Sequence, residues 1–307
     1  MAHSSATLRS RPDLLDPAEV ATLGGIEITT RGVVEGFLSG LHRSPRRGFS
    51  VEFAEHRMYQ PGDDLRHVDW KILGRNDRLY VKQYEEETNL RAMIVLDASR
   101  SMAWSGDPAT RLSKLEYATR IAAALALLLL RQRDAPGLIV FDDDVRHVVP
   151  PRARPSHWNQ LASVLGTLRA GAGTAARPAL NRVMDILRRR GMVILLSDLL
   201  LDRDTALSAL RFLRHRGHQV LVLHVMDPSE VALTGSAEAR FEDPESHESV
   251  VLRPADWADA YAETIRDMTR DWTRACGQLG VGYHRLLTDR PFGDALREAL
   301  ATRRASA

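Results

Sequence analysis

The stretch that most constrains the fold is Met93-Ile94-Val95-Leu96-Asp97-Ala98-Ser99-Arg100-Ser101-Met102. A short apolar run rich in branched residues that stops abruptly at a carboxylate and two hydroxyls reads as a buried strand whose C-terminal end opens onto a polar site. In open α/β sheets that end is where ligands bind. Met192-Val193-Ile194-Leu195-Leu196-Ser197-Asp198 repeats the theme, an apolar strand ending in Ser-Asp.

From Arg91 onward strands alternate with helices, the signature of a mostly parallel sheet covered on both faces. Strands are expected over 92–96, 137–141, 145–149, 192–196, 219–225 and 281–287, and helices over 112–133, 157–169, 178–190, 204–216, 255–279 and 292–303. Asp142-Asp143-Asp144 reads as a hairpin turn, and 241–252, with Asp243-Pro244-Glu245 near its middle, as an inserted hairpin. The fold class is therefore α/β, a doubly wound, mostly parallel sheet with a small N-terminal α+β appendage. The expected division is a loose tail over 1–15, an appendage over 16–90 and the main domain over 91–307.

In the appendage, Asp16-Pro17 caps a short helix to Leu23, 26–29 alternates like a strand, and 33–41 has helical spacing. Pro61-Gly62-Asp63-Asp64 caps a helix whose apolar face carries Leu65, Val68 and Ile72, with Trp70 a further candidate. Arg66 can pair with Asp69, and Arg57 with Asp63 or Asp64. Helix capping accounts for Gly62-Asp63-Asp64 better than a polymerase-type metal pair, since no second acidic catalytic motif accompanies it. Residues 78–85 alternate as a strand before the acidic run Glu85-Glu86-Glu87.

Composition narrows the partners. Formal net charge is +2, with 42 basic against 40 acidic side chains, so no strong field draws the chain to nucleic acid or anionic lipid. A single cysteine, Cys276, excludes an intramolecular disulfide and Cys-based zinc sites, and suits a reducing cytoplasm. Residues 2–13 have no apolar stretch and do not form a signal peptide. The most apolar run, 121–130, would span only about 15 Å as a helix against roughly 30 Å of hydrocarbon, so it is a core helix and not a membrane span.

The Asp-x-Ser-x-Ser spacing puts Asp97, Ser99 and Ser101 on one side of an extended or turning backbone, because side chains alternate with period two. Three oxygens so placed suit a hard divalent cation that keeps several waters and leaves a position open. A rival enzymatic reading makes Asp97 the nucleophile of a Mg²⁺-dependent hydrolase or phosphotransferase. Haloacid-dehalogenase-like phosphatases follow that aspartate with a second one two residues on, and here the position is Ser99, which cannot shuttle protons near neutral pH. Walker, Gly-x-Gly-x-x-Gly, Gly-x-Ser-x-Gly and His-Glu-x-x-His motifs are absent from the expected contexts.

Asp97, Ser99 and Ser101, with Thr174 in the glycine loop Gly171-Ala172-Gly173-Thr174 and Asp198 at another strand end, together resemble the metal-ion-dependent adhesion site of von Willebrand factor A domains. The resemblance implies a Rossmann-type fold holding Mg²⁺ or Mn²⁺. It also implies that the serines and threonine reach the metal directly or through water, while the aspartates act mostly through water. A metal so poorly neutralised draws an Asp or Glu of a partner protein into its open position.

The run Glu55-His56-Arg57-Met58-Tyr59-Gln60-Pro61-Gly62-Asp63-Asp64-Leu65-Arg66-His67-Val68-Asp69-Trp70, with Lys71 and Arg75 after it, is similar to the signature of the DUF58 family. Lys114-Leu115-Glu116, Asp134 with Gly137-Leu138, and Thr288-Asp289-Arg290-Pro291-Phe292 resemble it too, so the likeness runs from Gly24 to Arg303. Many relatives carry an N-terminal membrane hairpin, and this chain resembles the short form without one. The family likeness implies a non-enzymatic adaptor working with a MoxR-type AAA+ ATPase in chaperone-like assembly or activation of other proteins. The charged block 57–75 reads first as ion pairs knitting the appendage, and only second as a binding site.

Overall fold

The computed structural model describes residues 51–60, 70, 72, 74, 79–86, 90–171, 176–242 and 248–301. The chain divides into two compact units, one of Leu38–Asn89 and one that includes Leu90–Ala307. In the first, β1 (Val51–Met58) pairs antiparallel with β2 (Tyr80–Glu86), Met58 opposite Tyr80 and Val51 opposite Glu86. The register shifts between Phe53 and Glu55. An inserted residue breaks a period of two, which explains why the sequence around β1 alternates poorly. Trp70 is 62% exposed and does not belong to a buried helical face. The elements expected over 16–41, the turn at 61–64 and the pairings of Arg57 and Arg66 lie outside the described residues.

The second unit is built on a six-stranded sheet. In chain order its elements are β3 (Arg91–Asp97), α1 (Lys114–Arg131), β4 (Ala135–Phe141), β5 (Val145–Val149), α2 (His157–Leu165), α3 (Ala176–Ile186) and β6 (Met192–Ser197). There follow α4 (Arg203–His215), β7 (Gln219–Met226), α5 (Pro228–Val231), β8 (Ala239–Glu242), β9 (Ser249–Leu252), α6 (Pro254–Gln278), β10 (Gly282–Leu287) and α7 (Phe292–Ala301). The strand order is β10-β7-β6-β3-β4-β5. Every neighbouring pair is parallel except β4 with β5, a hairpin across the three aspartates, and β8 with β9 forms the separate inserted hairpin.

Strand β3 shows why the sequence reads as it does. Ala92, Ile94 and Leu96 pack on one face with Ile121, Leu125 and Leu129 of α1 and Leu296 of α7. Met93 and Val95 pack on the other with Val183 of α3, Leu210 of α4 and Trp272 of α6. A strand buried on both faces loses the polar alternation of a half-solvated one. Helix α1 starts where Ser113 and Glu116 form a reciprocal capping box and stops before Arg133, whose φ of 61° ends the helical path. Among the described residues, no helix is long and apolar enough to cross a membrane.

This connectivity positions the site. The chain leaves β3 through α1 to β4 on one side, then returns through α3 to β6 on the other side of β3. The C-terminal ends of β3 and β6 therefore flank a topological switch point, where open α/β sheets form their ligand crevice.

Candidate metal centre

Asp97 closes β3 and Ser197 closes β6. Ser197 Oγ donates to Asp97 Oδ2 at 2.6 Å, and the backbone N–H of Ser99 donates to Asp97 Oδ1 at 2.9 Å. Asp97 is only 1% exposed. Burial, and after it the neighbouring charge of Asp198, push its carboxyl up to about 6, against hydrogen bonds from Ser197 and Ser99 that favour the ionised form.

Beyond Asp97 the chain turns at once. Ser99 is extended (φ −58°, ψ 166°) and precedes a 3₁₀ turn, Arg100–Ala103, that contains Ser101. The two hydroxyl oxygens lie 3.1 Å apart. The expected convergence of these side chains is present, but a tight turn produces it and not the period-two alternation of an extended strand. Two adjacent ligands of an octahedral ion with bonds of about 2.1 Å are themselves separated by roughly 3.0 Å. The hydroxyls, hydrogen-bonded to each other, thus also have the spacing of one octahedral edge, beside a buried carboxylate that has no paired cation among the described residues. This donor set fits a small divalent ion.

Asp198 follows β6 and is also buried. Its Oδ1 accepts the N–H of Leu200 at 3.1 Å and its Oδ2 accepts Lys114 Nζ at 2.8 Å. Leu199 between them takes φ 54°, the left-handed region that a branched side chain rarely adopts, with its N–H held by Ser197 Oγ at 3.0 Å. Lys114 is fully buried and donates a second time, to Glu230 Oε1 at 2.5 Å. Burial alone would drive the ammonium to lose its proton; the charges of Asp198 and Glu230 outweigh it and hold the lysine pKa above its usual value. Glu230 is raised by its own burial in spite of Lys114. With both oxygens of Asp198 engaged, the geometry suits action on a metal through water and not direct ligation.

Two further strand ends join this edge. Asp227, after β7, accepts Ser229 N at 2.8 Å, Ser229 Oγ at 2.6 Å and Thr288 Oγ1 at 3.0 Å, with Arg111 Nη1 3.7 Å away. Trp104, half exposed, donates Nε1 to Ser229 Oγ at 3.1 Å. Gly106 closes the same contact, since a Cβ there would come within 2.3 Å of Ser229 Oγ. His224, in β7, lies with Nδ1 2.7 Å from the Tyr283 hydroxyl, and burial pulls it down to about 4, so it is neutral at pH 7.

The structure thus brings Asp97, Ser99, Ser101 and Asp198 to one edge of the sheet. Thr174 lies outside the described residues, but Gly171, the first residue of that loop, is anchored by its N–H to the carbonyl of Ala98 at 2.7 Å. Among the described residues, no group of three or more His, Cys, Asp or Glu side chains could hold a metal. Sequence reasoning did not single out Lys114 or Glu230 as part of it. The signal was present: Lys114 is one of only three lysines, and it opens a helix, where the dipole disfavours a cation.

Comparison with known proteins bears on most of the chain. Uncharacterized proteins of Mycobacterium tuberculosis and Mycobacterium bovis are each 30% identical to it over 307 residues, covering 97% of this chain and 93% of theirs. Among solved structures, a conserved hypothetical protein BatB from Bacteroides thetaiotaomicron (19% identity) and an aerotolerance-related membrane protein from Bacteroides fragilis (20%) each align over 71% of this chain and 100% of theirs, both with a TM-score of 0.45. The family described as "Protein of unknown function DUF58" matches residues 55–270, and the chain belongs to that family.

Proposed function

We propose that this protein is a non-enzymatic, divalent-metal-dependent interaction adaptor whose second unit is a von Willebrand factor A-like domain. The observation that carries this reading is the pair of Ser99 and Ser101 hydroxyls, 3.1 Å apart, beside the buried and uncompensated Asp97 at the switch point of the sheet. Ser99 and Ser101 would hold Mg²⁺ or Mn²⁺ directly, with Thr174 as a third hydroxyl and Asp97 and Asp198 acting through water. When bound, the ion supplies an open coordination position that a carboxylate of a partner protein can fill. The chain's own residues do the rest: Ser197 and the Ser99 N–H orient Asp97, while Lys114 donates to Asp198 and fixes its carboxylate. A nucleophilic role for Asp97 is less well served, because both its oxygens are engaged and Ser99 stands where a proton-shuttling acid would be needed.

The partner we favour is a MoxR-type AAA+ ATPase, with assembly or activation of other proteins as the outcome; this rests on the family likeness. The test is calorimetric titration of Mg²⁺ and Mn²⁺ into wild type and Ser99→Ala/Ser101→Ala, with affinity capture from native lysate in Mg²⁺ and again in EDTA. Binding that disappears with the serines, together with an ATPase recovered only in metal, supports the reading. Metal binding indifferent to the serines sinks it.

A further inference from the structure

The opposite end of the sheet carries a second site. The N-terminal ends of β3 and β6 open onto a cavity of about 260 Å³. Met93, Val148, Pro151 and Ile186 give it apolar walls, and Val148 and Ile186 leave 43% and 37% of their surface uncovered. Arg91, Arg188 and Arg189 also line it, and no carboxylate does. Among the described residues none of these arginines has an ion-pair partner; Arg188 donates Nε only to the Asp185 carbonyl, at 3.2 Å.

The wall that bears two of these arginines is fixed in place. His218, 1% exposed, holds the Leu187 carbonyl through Nε2 at 3.0 Å, at the residue just before Arg188. Gly191 passes so close over β3 that a Cβ there would lie 2.3 Å from the Arg91 carbonyl oxygen. The arginines are therefore presented from a braced segment, which lowers the ordering cost of binding.

Unpaired guanidinium groups beside exposed apolar walls call for an anion carried on an apolar body. A guanidinium fork matches a carboxylate bidentately. Volume sets the size: an apolar cavity of about 150 Å³ accepts benzene, and drug-sized ligands need roughly 300 Å³ or more. We propose that this cavity binds a small organic acid, an alkyl or aryl carboxylate whose apolar body of about eight carbons lies against Met93, Val148 and Ile186 while Arg188 and Arg189 hold the carboxylate. The cavity shares no residue with the metal centre and stands or falls apart from it.

Titration of the full chain with sodium octanoate, octan-1-ol and inorganic phosphate, read by calorimetry, separates the two components. Octanoate is expected to bind at least tenfold more tightly than either the alcohol or phosphate. Arg188→Ala/Arg189→Ala, at exposed positions, should weaken octanoate at least tenfold, and Ile186→Glu should abolish its binding while leaving the melting temperature of the ligand-free protein within a few degrees. No octanoate binding, equal binding of octanol or phosphate, or an unchanged affinity in the double arginine variant would each overturn the proposal.

Discussion

Lys114 Nζ sits 2.8 Å from Asp198 Oδ2, so the carboxylate that follows β6 receives its counter-charge from the chain itself. Asp97, on the adjacent strand, receives none among the described residues. The two acids are thereby placed differently: Asp198 has a lysine of the chain beside it, and the Asp97 carboxyl, buried next to Asp198, is pushed up to about 6.

Removing the internal cation should be costly. Lys114→Met strands the buried carboxylate of Asp198 and the partly exposed one of Glu230, and breaking one side of a buried ion pair costs about 3–5 kcal/mol. Urea denaturation should show a loss of that order, and Lys114→Met/Asp198→Asn should recover part of it. Additive losses in the double variant would mean that the pair is not coupled.

Asp97 sets a pH dependence for the metal-free protein. Its folded carboxyl titrates near 6, above the ordinary 3.8, so the folded state holds this proton more tightly than the unfolded state does. Stability from this group is greatest below pH 3.8, falls as pH rises to about 6, and stays low above. Metal competes with the proton, so Mg²⁺ should raise the melting temperature at pH 7.5 and scarcely at pH 4.5. Asp97→Asn should be more stable than wild type at pH 7.5 without metal, and insensitive to Mg²⁺. A Mg²⁺ response that survives in Asp97→Asn would place the ion elsewhere.

Asp134 provides a control far from the hydroxyl pair in sequence. One of its oxygens accepts Leu90 N at 2.9 Å, the other is buried without a partner among the described residues, and burial raises the carboxyl to about 6. The sign is the same as for Asp97: stability is lost as pH climbs from 3.8 towards 6. Asp134→Asn keeps the acceptor for Leu90 and removes the charge, so differential scanning calorimetry should show the variant gaining on wild type as pH rises through about 6. Mg²⁺ should stabilise this variant as much as wild type.

Gly171, the first residue of the glycine loop, donates its N–H to the carbonyl of Ala98, the residue after Asp97. A Cβ at this position would lie 2.1 Å from Asp142 Oδ2 and 3.0 Å from Asp142 Cβ, so the loop or the aspartate must move. Gly171→Ala is expected to cost about 1–3 kcal/mol and to weaken Mg²⁺ binding by shifting the segment that carries Thr174. Asp142→Ala in the same chain removes the obstacle and should restore most of both. Metal affinity unchanged in Gly171→Ala would separate this loop from the site.

Much of the second unit was legible because its strands are buried on both faces. Continuous apolar runs such as 93–96 and 193–196, each closed by polar residues, marked both the strands and the sheet edge where the site lies. The element bounds shifted by a few residues where capping decided them, as at Ser113. Two pieces were illegible for a physical reason: the 3₁₀ turn at Arg100–Ala103 and the four-residue α5 are each too short to show a period. Glu230 was invisible on the same account, since only the fold brings the first turn of α5 to a lysine at the start of α1. Lys114 could have been suspected from its unfavourable place at a helix N-terminus, though nothing local named its partners.

The hydrogen bond from Ser197 to Asp97 joins residues 100 positions apart, and the ion pair from Lys114 to Glu230 spans 116. Neither contact can form until the intervening strands and helices have been made and closed, so the order of synthesis matters. At roughly 5–20 residues per second, Asp97 leaves the ribosome about 5–20 seconds before Asp198. During that interval the nascent chain carries the aspartate and its serines without the strand that orients them. The Ser197–Asp97 contact is thus a late product of chain closure, and a chain that stops short of β6 would present Asp97, Ser99 and Ser101 without ever forming it.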